Sequence, residues 1–152
     1  MSEKIKFRAW DDEEKRFVFF DLIDLIRLTH GFGKKYKEII QQGHVCRYTG
    51  TNTRDGKQIY EGDIVTYFGK SKNKNTDKEY LSKYYRRIVW KDGLFMTARS
   101  SRPFFNPSKI LNGEKAWASN MTIVGNIYEN PELFNEVDGL KGNPTITKLI
   151  PD

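Results

Sequence analysis

The stretch from His44 to Phe68, HVCRYTGTNTRDGKQIYEGDIVTYF, constrains the fold of this 152-residue chain more than any other. Its apolar and aromatic residues fall into two runs separated by Asp55-Gly56. Asp-Gly supplies the positive backbone φ angles that tight hairpin turns need. The second segment carries IYEGDIV from Ile59 to Val65, and its residues then alternate out to Phe68. The stretch therefore predicts two antiparallel strands, and with them a β architecture.

The residues before this hairpin predict a strand pair followed by short helices. Apolar and charged residues alternate from Lys4 to Ala9, which is typical of a half-buried strand, and Arg16 to Phe20 returns as its partner. From Leu22 the apolar spacing becomes helical. We expect short helical pieces around Gly31 and Gly33 that stop at Gly43.

The residues after the hairpin predict further short strands. Tyr84 to Lys91 and Leu94 to Ala98 flank a second Asp-Gly turn at Asp92-Gly93. Met121 to Tyr128 predicts a last strand, with a bulge or a close backbone approach at Gly125. Asn130-Pro131 opens a short helix, because Asn caps helices and Pro suits the first helical position. Five or six short strands joined by tight turns predict a small barrel or roll.

Length and composition indicate one aromatic-rich domain spanning residues 1–152. Aromatic residues make up 14% of the chain, and flat rings pack well across strands. No apolar run approaches the ~18 residues of a membrane span, and the first residues lack the apolar core of a signal peptide. The single cysteine, Cys46, excludes an internal disulfide and fits a reducing compartment. We expect a cytoplasmic, soluble protein that does not bind a membrane.

The net charge of +6 resides in one segment. Residues 69–91 contain eight lysines and arginines against two acidic residues, and the remaining 18 basic and 18 acidic groups balance. Within this segment residues 71–82, SKNKNTDKEYLS, are polar and without period. They predict a basic mobile loop over about residues 69–83. The tail from about Asp138 is expected to be loosely held.

The basic segment is the candidate binding site. Its cations alternate with tyrosines, and cations that attract phosphates beside rings that stack bases are the combination that binds single-stranded nucleic acid. The candidate contact residues are Lys70, Lys72, Lys74, Lys78, Tyr80, Lys83, Tyr84, Arg86 and Arg87. The alternative is a solvated hairpin loop whose lysines keep a strand edge from aggregating, with one of the adjacent Tyr84 and Tyr85 in the core.

Glu61 and Asp63 are a second candidate site. Two residues apart on a strand, they would share a face and could begin a site for a hard cation, although further ligands are not evident. The alternative is structural. Gly62 would allow a bulge, and the acids would cap backbone amides or pair with Arg47 or Arg54. We favour the structural interpretation and predict no metal and no cofactor.

Nucleophilic catalysis finds little support in the sequence. His30 and His44 are the only histidines. His44 and Cys46 would share a strand face, but proton transfer would also need hydrogen-bond reach and a third, orienting group. Cys46 is more simply a small strand residue, and His30 fits a helix end. We therefore predict that the protein is not an enzyme.

Four blocks resemble one known family. They are KIKFRAWDDEEKRF near the start, CRYTGTNTRDGKQIYEGDIV in the centre, RRIVWKDGLF, and TIVGNIYENPELF near the end. Together, from about Lys4 to Phe134, they resemble the YopX family of phage and prophage proteins. The resemblance implies an SH3-like β roll with an added N-terminal hairpin and short helices. It also implies self-association, and it carries no catalytic residue because the family's molecular function is unassigned.

The sequence thus predicts a small phage or prophage accessory protein that acts by binding. The leading hypothesis is a self-associating, non-enzymatic module that engages a host or phage macromolecule in the bacterial cytoplasm. The alternative is nucleic-acid binding through residues 70–91. A third hypothesis is a metal-dependent hydrolase or nuclease that uses Glu61 and Asp63.

Overall fold

The computed structural model describes residues 5–27, 34–91, 93–97, 120–133 and 146–149. These residues are mainly β. In chain order the elements are β1 (Lys6–Asp11), β2 (Arg16–Asp21), α1 (Leu22–Arg27), α2 (Lys34–Gln41), β3 (Val45–Asn52), β4 (Gln58–Tyr60), β5 (Asp63–Lys72), β6 (Glu79–Lys91), β7 (Leu94–Thr97), β8 (Thr122–Asn126) and β9 (Ile146–Leu149). Neither helix is long and apolar enough to cross a membrane, and the same holds throughout the described ranges.

The first sheet has the strand order β2-β1-β3-β4, with neighbouring strands antiparallel. The alternation read from the sequence places Ala9, Val18 and Phe20 on one face, where they bury against Ile39 of α2. The opposite face carries Arg8, Trp10 and Tyr60, among others, and turns toward the second sheet. The predicted N-terminal strand pair is confirmed.

Two local devices set the helices on the first sheet. Asp21 and Asp24 cap the start of α1 reciprocally, because each side chain accepts a hydrogen bond from the other's backbone amide, at 2.9 and 3.0 Å. After α2 the chain turns at Gly43, whose φ of 82° suits glycine. The predicted stop at Gly43 is confirmed, whereas Gly31 and Gly33 lie outside the described residues.

Gly62 marks a corner between the two sheets. The sequence predicts one strand from Ile59 to Val65, but β4 ends at Tyr60 and β5 starts at Asp63 in the second sheet. Gly62 has a φ of 85°, its amide donates to the Ile88 carbonyl, and its carbonyl accepts from Ile127. The predicted continuous strand is therefore wrong, since the left-handed turn redirects the chain.

The second sheet has the order β7-β6-β5-β8, with β9 paired to β6 as well. A buried cluster joins Ile59 of β4 in the first sheet to Val65 of β5, Ile88 of β6 and Met121 just before β8. Opposite β8 the register shifts between Ile64 and Val65, and a Cβ on Gly125 would lie 2.5 Å from the Asn130 amide oxygen. Both expectations for Gly125, a bulge and a close approach, are confirmed. Within the described ranges the two sheets do not close into a barrel.

The segment predicted as a loop over residues 69–83 is mostly hairpin. β5 runs to Lys72 and β6 begins at Glu79, so only residues 73–78 form the turn. Cross-strand pairing overrides the polar, aperiodic composition of the segment. Of the tail from about Asp138, the structure describes residues 146–149, where β9 pairs with Tyr80 to Lys83 of β6, and a loosely held tail stays a prediction.

Candidate nucleic-acid interface

The basic segment is a long antiparallel hairpin, so its side chains are sorted onto two faces. β5 and β6 are paired from Ile64 opposite Arg87 to Lys72 opposite Glu79. Directly opposed residues of an antiparallel pair project to the same face, and successive residues alternate between faces. One face therefore carries Phe68 and Lys83, and the other carries Tyr67 and Tyr84.

The first surface, which we call the Phe68 face, combines cations with exposed rings. Its members are Thr66, Phe68, Lys70 and Lys72 of β5 and Glu79, Leu81, Lys83, Tyr85 and Arg87 of β6. Phe68 is 59% exposed although it is large and apolar. The Lys83 ammonium lies 5.9 Å from the Phe68 ring centroid and 5.3 Å from that of Tyr85. A positive charge thus lies beside two rings on one face.

The opposite surface, the Tyr67 face, packs the hairpin onto the second sheet's core. Tyr67 contacts the buried cluster and stacks on Tyr84, with ring centroids 5.4 Å apart. The Arg86 guanidinium lies 5.1 Å from the Tyr84 ring, and its Nη1 donates to the Tyr85 carbonyl. Burial raises the pKa of the Tyr67 hydroxyl. These groups hold the hairpin in place.

The turn holds the remaining lysines of the segment. Asp77 adopts a φ of 57°, and the Asn73 side chain accepts from the amide of Asn75 at 2.8 Å. Lys72 Nζ lies 3.0 Å from Asp77 Oδ1, so this acid offsets one cation near the turn. Lys74 and Lys78 are exposed there.

The structure separates the nine predicted contact residues into three groups. Lys70, Lys72, Lys83 and Arg87 share the Phe68 face, Lys74 and Lys78 lie at the turn, and Tyr80, Tyr84 and Arg86 lie on the Tyr67 face. The predicted set omits Phe68 and Tyr85, the rings beside Lys83. The period-two alternation of Phe68 with Tyr67, continued through the polar segment, would have identified them.

A cleft of about 730 Å³ opens beside Phe68. It is lined by Arg54 and Asp55 of the β3–β4 turn, Phe68 of β5, and Asn120, Met121 and Thr122 at the start of β8. The hydroxyl of the buried Thr53 donates to Asp55 Oδ1, and Lys57 Nζ lies 3.5 Å from Oδ2. The Thr53 hydrogen bond, helped by the backbone and Lys57, lowers the pKa of Asp55. The sequence analysis did not identify this cleft.

The predicted carboxylate pair does not form one site. Glu61 lies in the corner turn, whereas Asp63 starts β5 and is buried. Arg8 Nη2 is 2.6 Å from Asp63 Oδ1, and the Tyr60 amide donates to Oδ2 at 2.8 Å. The structural interpretation was right about backbone capping but wrong about the partner, which is Arg8 rather than Arg47 or Arg54.

Arg8 occupies a buried position between two rings. Its guanidinium lies 4.0 Å from the Phe17 ring centroid and 4.7 Å from that of Tyr60. Burial raises the pKa of Asp63, while the Arg8 charge and the Tyr60 amide oppose that shift. No group of three or more His, Cys, Asp or Glu side chains that could hold a metal occurs among the described residues. The Arg8–Asp63 pair joins β1 of the first sheet to β5 of the second.

His44 and Cys46 have different polar partners. Cys46 is buried, its Sγ lies 3.8 Å from the Tyr128 hydroxyl, and burial raises the pKa of its thiol. His44 Nε2 lies 3.2 Å from Asp12 Oδ2, and its ring meets Tyr128 edge-on. A reactive cysteine needs the opposite shift, toward the thiolate. His30 lies outside the described residues.

Comparison with known proteins gives a family match and similar solved structures. A family model described as YopX protein matches residues 6–135. The crystal structure of protein EF1440 from Enterococcus faecalis is similar at 21% sequence identity and a TM-score of 0.48, over 87% of this chain and 99% of that chain. No curated protein matches the chain.

Proposed function

The chain belongs to the YopX protein family, and for this member we propose a non-catalytic binding function in which the Phe68 face engages single-stranded nucleic acid. The observation that carries the proposal is the exposure of Phe68 beside Lys83 and Tyr85. An exposed ring beside cations is the arrangement on which bases stack in proteins that bind single strands. Stacking of one base on such a ring contributes ~1–3 kcal/mol.

Fluorescence anisotropy with a labelled 12-nucleotide thymidine oligomer, across a salt series, tests the proposal. The variant Lys70→Gln/Lys83→Gln removes two charges from the Phe68 face, and Lys74→Gln/Lys78→Gln removes two from the turn as a matched control. Each lost phosphate contact flattens the salt dependence by ~0.7 on a double-logarithmic plot for single strands. We expect the slope of that plot to change by ~1.4 in Lys70→Gln/Lys83→Gln and by less in Lys74→Gln/Lys78→Gln.

A second pair of variants tests the ring. Phe68→Ala should weaken binding about tenfold, near the lower end of the stacking contribution. Phe19→Ala is the matched control, because Phe19 is an equally exposed phenylalanine, at 62%, on the first sheet. Absence of binding at low salt would contradict the proposal, as would equal losses in both variants. Either result would favour the solvated hairpin.

The non-catalytic part of the proposal is supported by the environment of the candidate catalytic groups. Both Asp63 oxygens already have partners, and burial raises the pKa of Cys46. We expect no cleavage of labelled single- or double-stranded DNA or RNA with Mg²⁺ or Mn²⁺. Thermal stabilisation by either cation that is lost in Glu61→Gln or Asp63→Asn would instead support the metal-dependent hydrolase.

Self-association is a further part of the proposed function. Ile5, Phe19, Leu22 and Ile23 are exposed at the end of the first sheet where Lys6 lies opposite Asp21. An apolar surface of this kind fits a second copy of the chain. We also propose, from the family, that the two sheets form an open SH3-like roll. The protein would be encoded by a phage or prophage and act on a host or phage macromolecule in the bacterial cytoplasm.

A further inference from the structure

We propose that the cleft beside Phe68 binds one unpaired guanine base, an inference that rests on the proposed function and adds a base preference to it. The cleft is lined by Arg54, Asp55, Phe68, Asn120, Met121 and Thr122. Its volume of about 730 Å³ falls inside the ~300–1,000 Å³ typical of small-ligand sites.

The ring and the cations explain why a nucleotide fits the cleft. Phe68 offers an exposed aromatic surface on which a base can stack, and Lys83 lies beside that ring on the same face of the hairpin. Arg54 adds a guanidinium at the mouth of the cleft, and guanidinium groups hold phosphates through paired hydrogen bonds. A phosphate on either side of the stacked base would therefore meet a cation.

Asp55 determines which base is preferred. An ionised carboxylate only accepts hydrogen bonds, so it favours an edge that offers two adjacent donors. Guanine alone among the common bases presents a ring N–H next to an amino group on its Watson–Crick edge, the edge that proteins read on unpaired bases. Thymine offers one donor between two carbonyls, and adenine and cytosine offer one amino group each. Asp55 therefore selects guanine.

The carboxylate of Asp55 is already positioned for this contact. Thr53, which is buried, donates to Oδ1, and Lys57 lies 3.5 Å from Oδ2. A carboxylate has about four acceptor positions, so capacity remains for a ligand. Asp55 is 64% exposed, and its lowered pKa keeps it ionised at neutral pH. Asn120 lines the same cleft and supplies an amide donor for the guanine carbonyl.

The test compares two labelled oligomers, twelve thymidines and the same oligomer with one central guanosine. Wild-type protein should bind the guanosine oligomer about tenfold more tightly, which lies within the range of one bidentate contact. Asp55→Asn should abolish that preference, because the amide replaces one acceptor with a donor. Because a negative charge is also lost, binding of the thymidine oligomer should become slightly tighter, as in the control variant. Asn also suits the turn, so the fold is retained.

Glu79→Gln is the matched control, since it also removes one negative charge, but from the β5–β6 hairpin and outside the cleft. This variant should bind both oligomers more tightly by the same factor and should keep the preference for the guanosine oligomer. Equal binding of both oligomers by the wild type would overturn the guanine site and leave the proposed function standing. No binding of either at low salt would overturn both. A preference that survives Asp55→Asn would also overturn the assignment.

Discussion

Arg8 and Asp63 join the two sheets by one ion pair between residues 55 positions apart. Both side chains are almost fully buried, and the rings of Phe17 and Tyr60 enclose the guanidinium. Desolvation of both charges offsets much of their attraction, so such a pair specifies an arrangement more than it stabilises one. Removal of one partner should therefore lower the stability of the fold far more than removal of both.

Asp63→Asn should therefore reduce the free energy of unfolding by ~3–5 kcal/mol, since Arg8 is left buried without its counter-charge. Arg8→Met should reduce the free energy of unfolding by a similar amount. The double variant should cost far less than the sum of the single variants, because neither charge then remains. Urea denaturation of the four proteins measures this coupling. Additive losses would show that the pair does not act as a unit.

The Arg8→Met variant should also show a defined pH dependence. Without the arginine, only the Tyr60 amide still opposes the desolvation that already raises the pKa of Asp63, so that pKa should rise further. A carboxyl with a raised folded-state pKa binds protons more tightly in the folded protein, so its cost is full above that pKa and falls as pH decreases. The loss of stability relative to wild type should therefore be smaller at pH 5 than at pH 7. An equal loss at both would contradict the argument.

At the scale of elements, the sequence predicts those strands, turns and helix ends that depend on residues close together in the chain. The N-terminal alternation, the Asp55-Gly56 turn and the Gly43 stop each depend on a few adjacent residues. The turn and the stop are confirmed, and so is the alternation from Lys6 onward, whereas Lys4 lies outside the described residues. The corner at Gly62 was missed because a glycine within a predicted strand fits a bulge as well as a corner. Only the pairing of β5 in the other sheet distinguishes the two.

The candidate site was predicted in part for the same reason. Composition identified the basic segment, but the polar residues 71–82 concealed its strand periodicity. Lys70 and Lys83 therefore entered the predicted set without Phe68 and Tyr85. The cleft beside Phe68 unites the β3–β4 turn with the start of β8, and no local pattern reveals such a long-range contact. The strand register has to be known before the residues that share a face of the hairpin can be identified.

Hydrogen exchange should distinguish the hairpin from a loop residue by residue. At Tyr80 to Lys83, β6 pairs with β5 on one side and with β9 on the other, so every amide there should be protected. Between Tyr84 and Arg87, β5 is the one strand among the described residues that pairs with β6, so we expect alternate amides to exchange faster. Deleting residues 146–152 should convert the first pattern into the second. Uniformly fast exchange over residues 69–83 would instead support a mobile loop.

At the scale of the whole molecule, the two proposed surfaces lie on different sheets and should act independently. Ile23→Asp places a charge in the exposed apolar surface of α1 and should lower the mass measured by light scattering. It should leave affinity for the thymidine oligomer within about twofold, because the Phe68 face is unchanged. Lys70→Gln/Lys83→Gln should do the reverse. A variant that changes both properties would show that the surfaces are coupled.

The excess charge of the molecule is confined to the β5–β6 hairpin and its continuation, while the rest of the chain is neutral. At ~3.3 Å per residue the ten residues of β5 extend about 30 Å, so part of that charge lies far from the centre. The protein is therefore an electric dipole as well as a cation. The field of a polyanion exerts a torque on this dipole. The torque turns the basic hairpin toward the polyanion before contact. Salt should then slow the encounter, whereas loss of the Phe68 ring should shorten the lifetime of the complex.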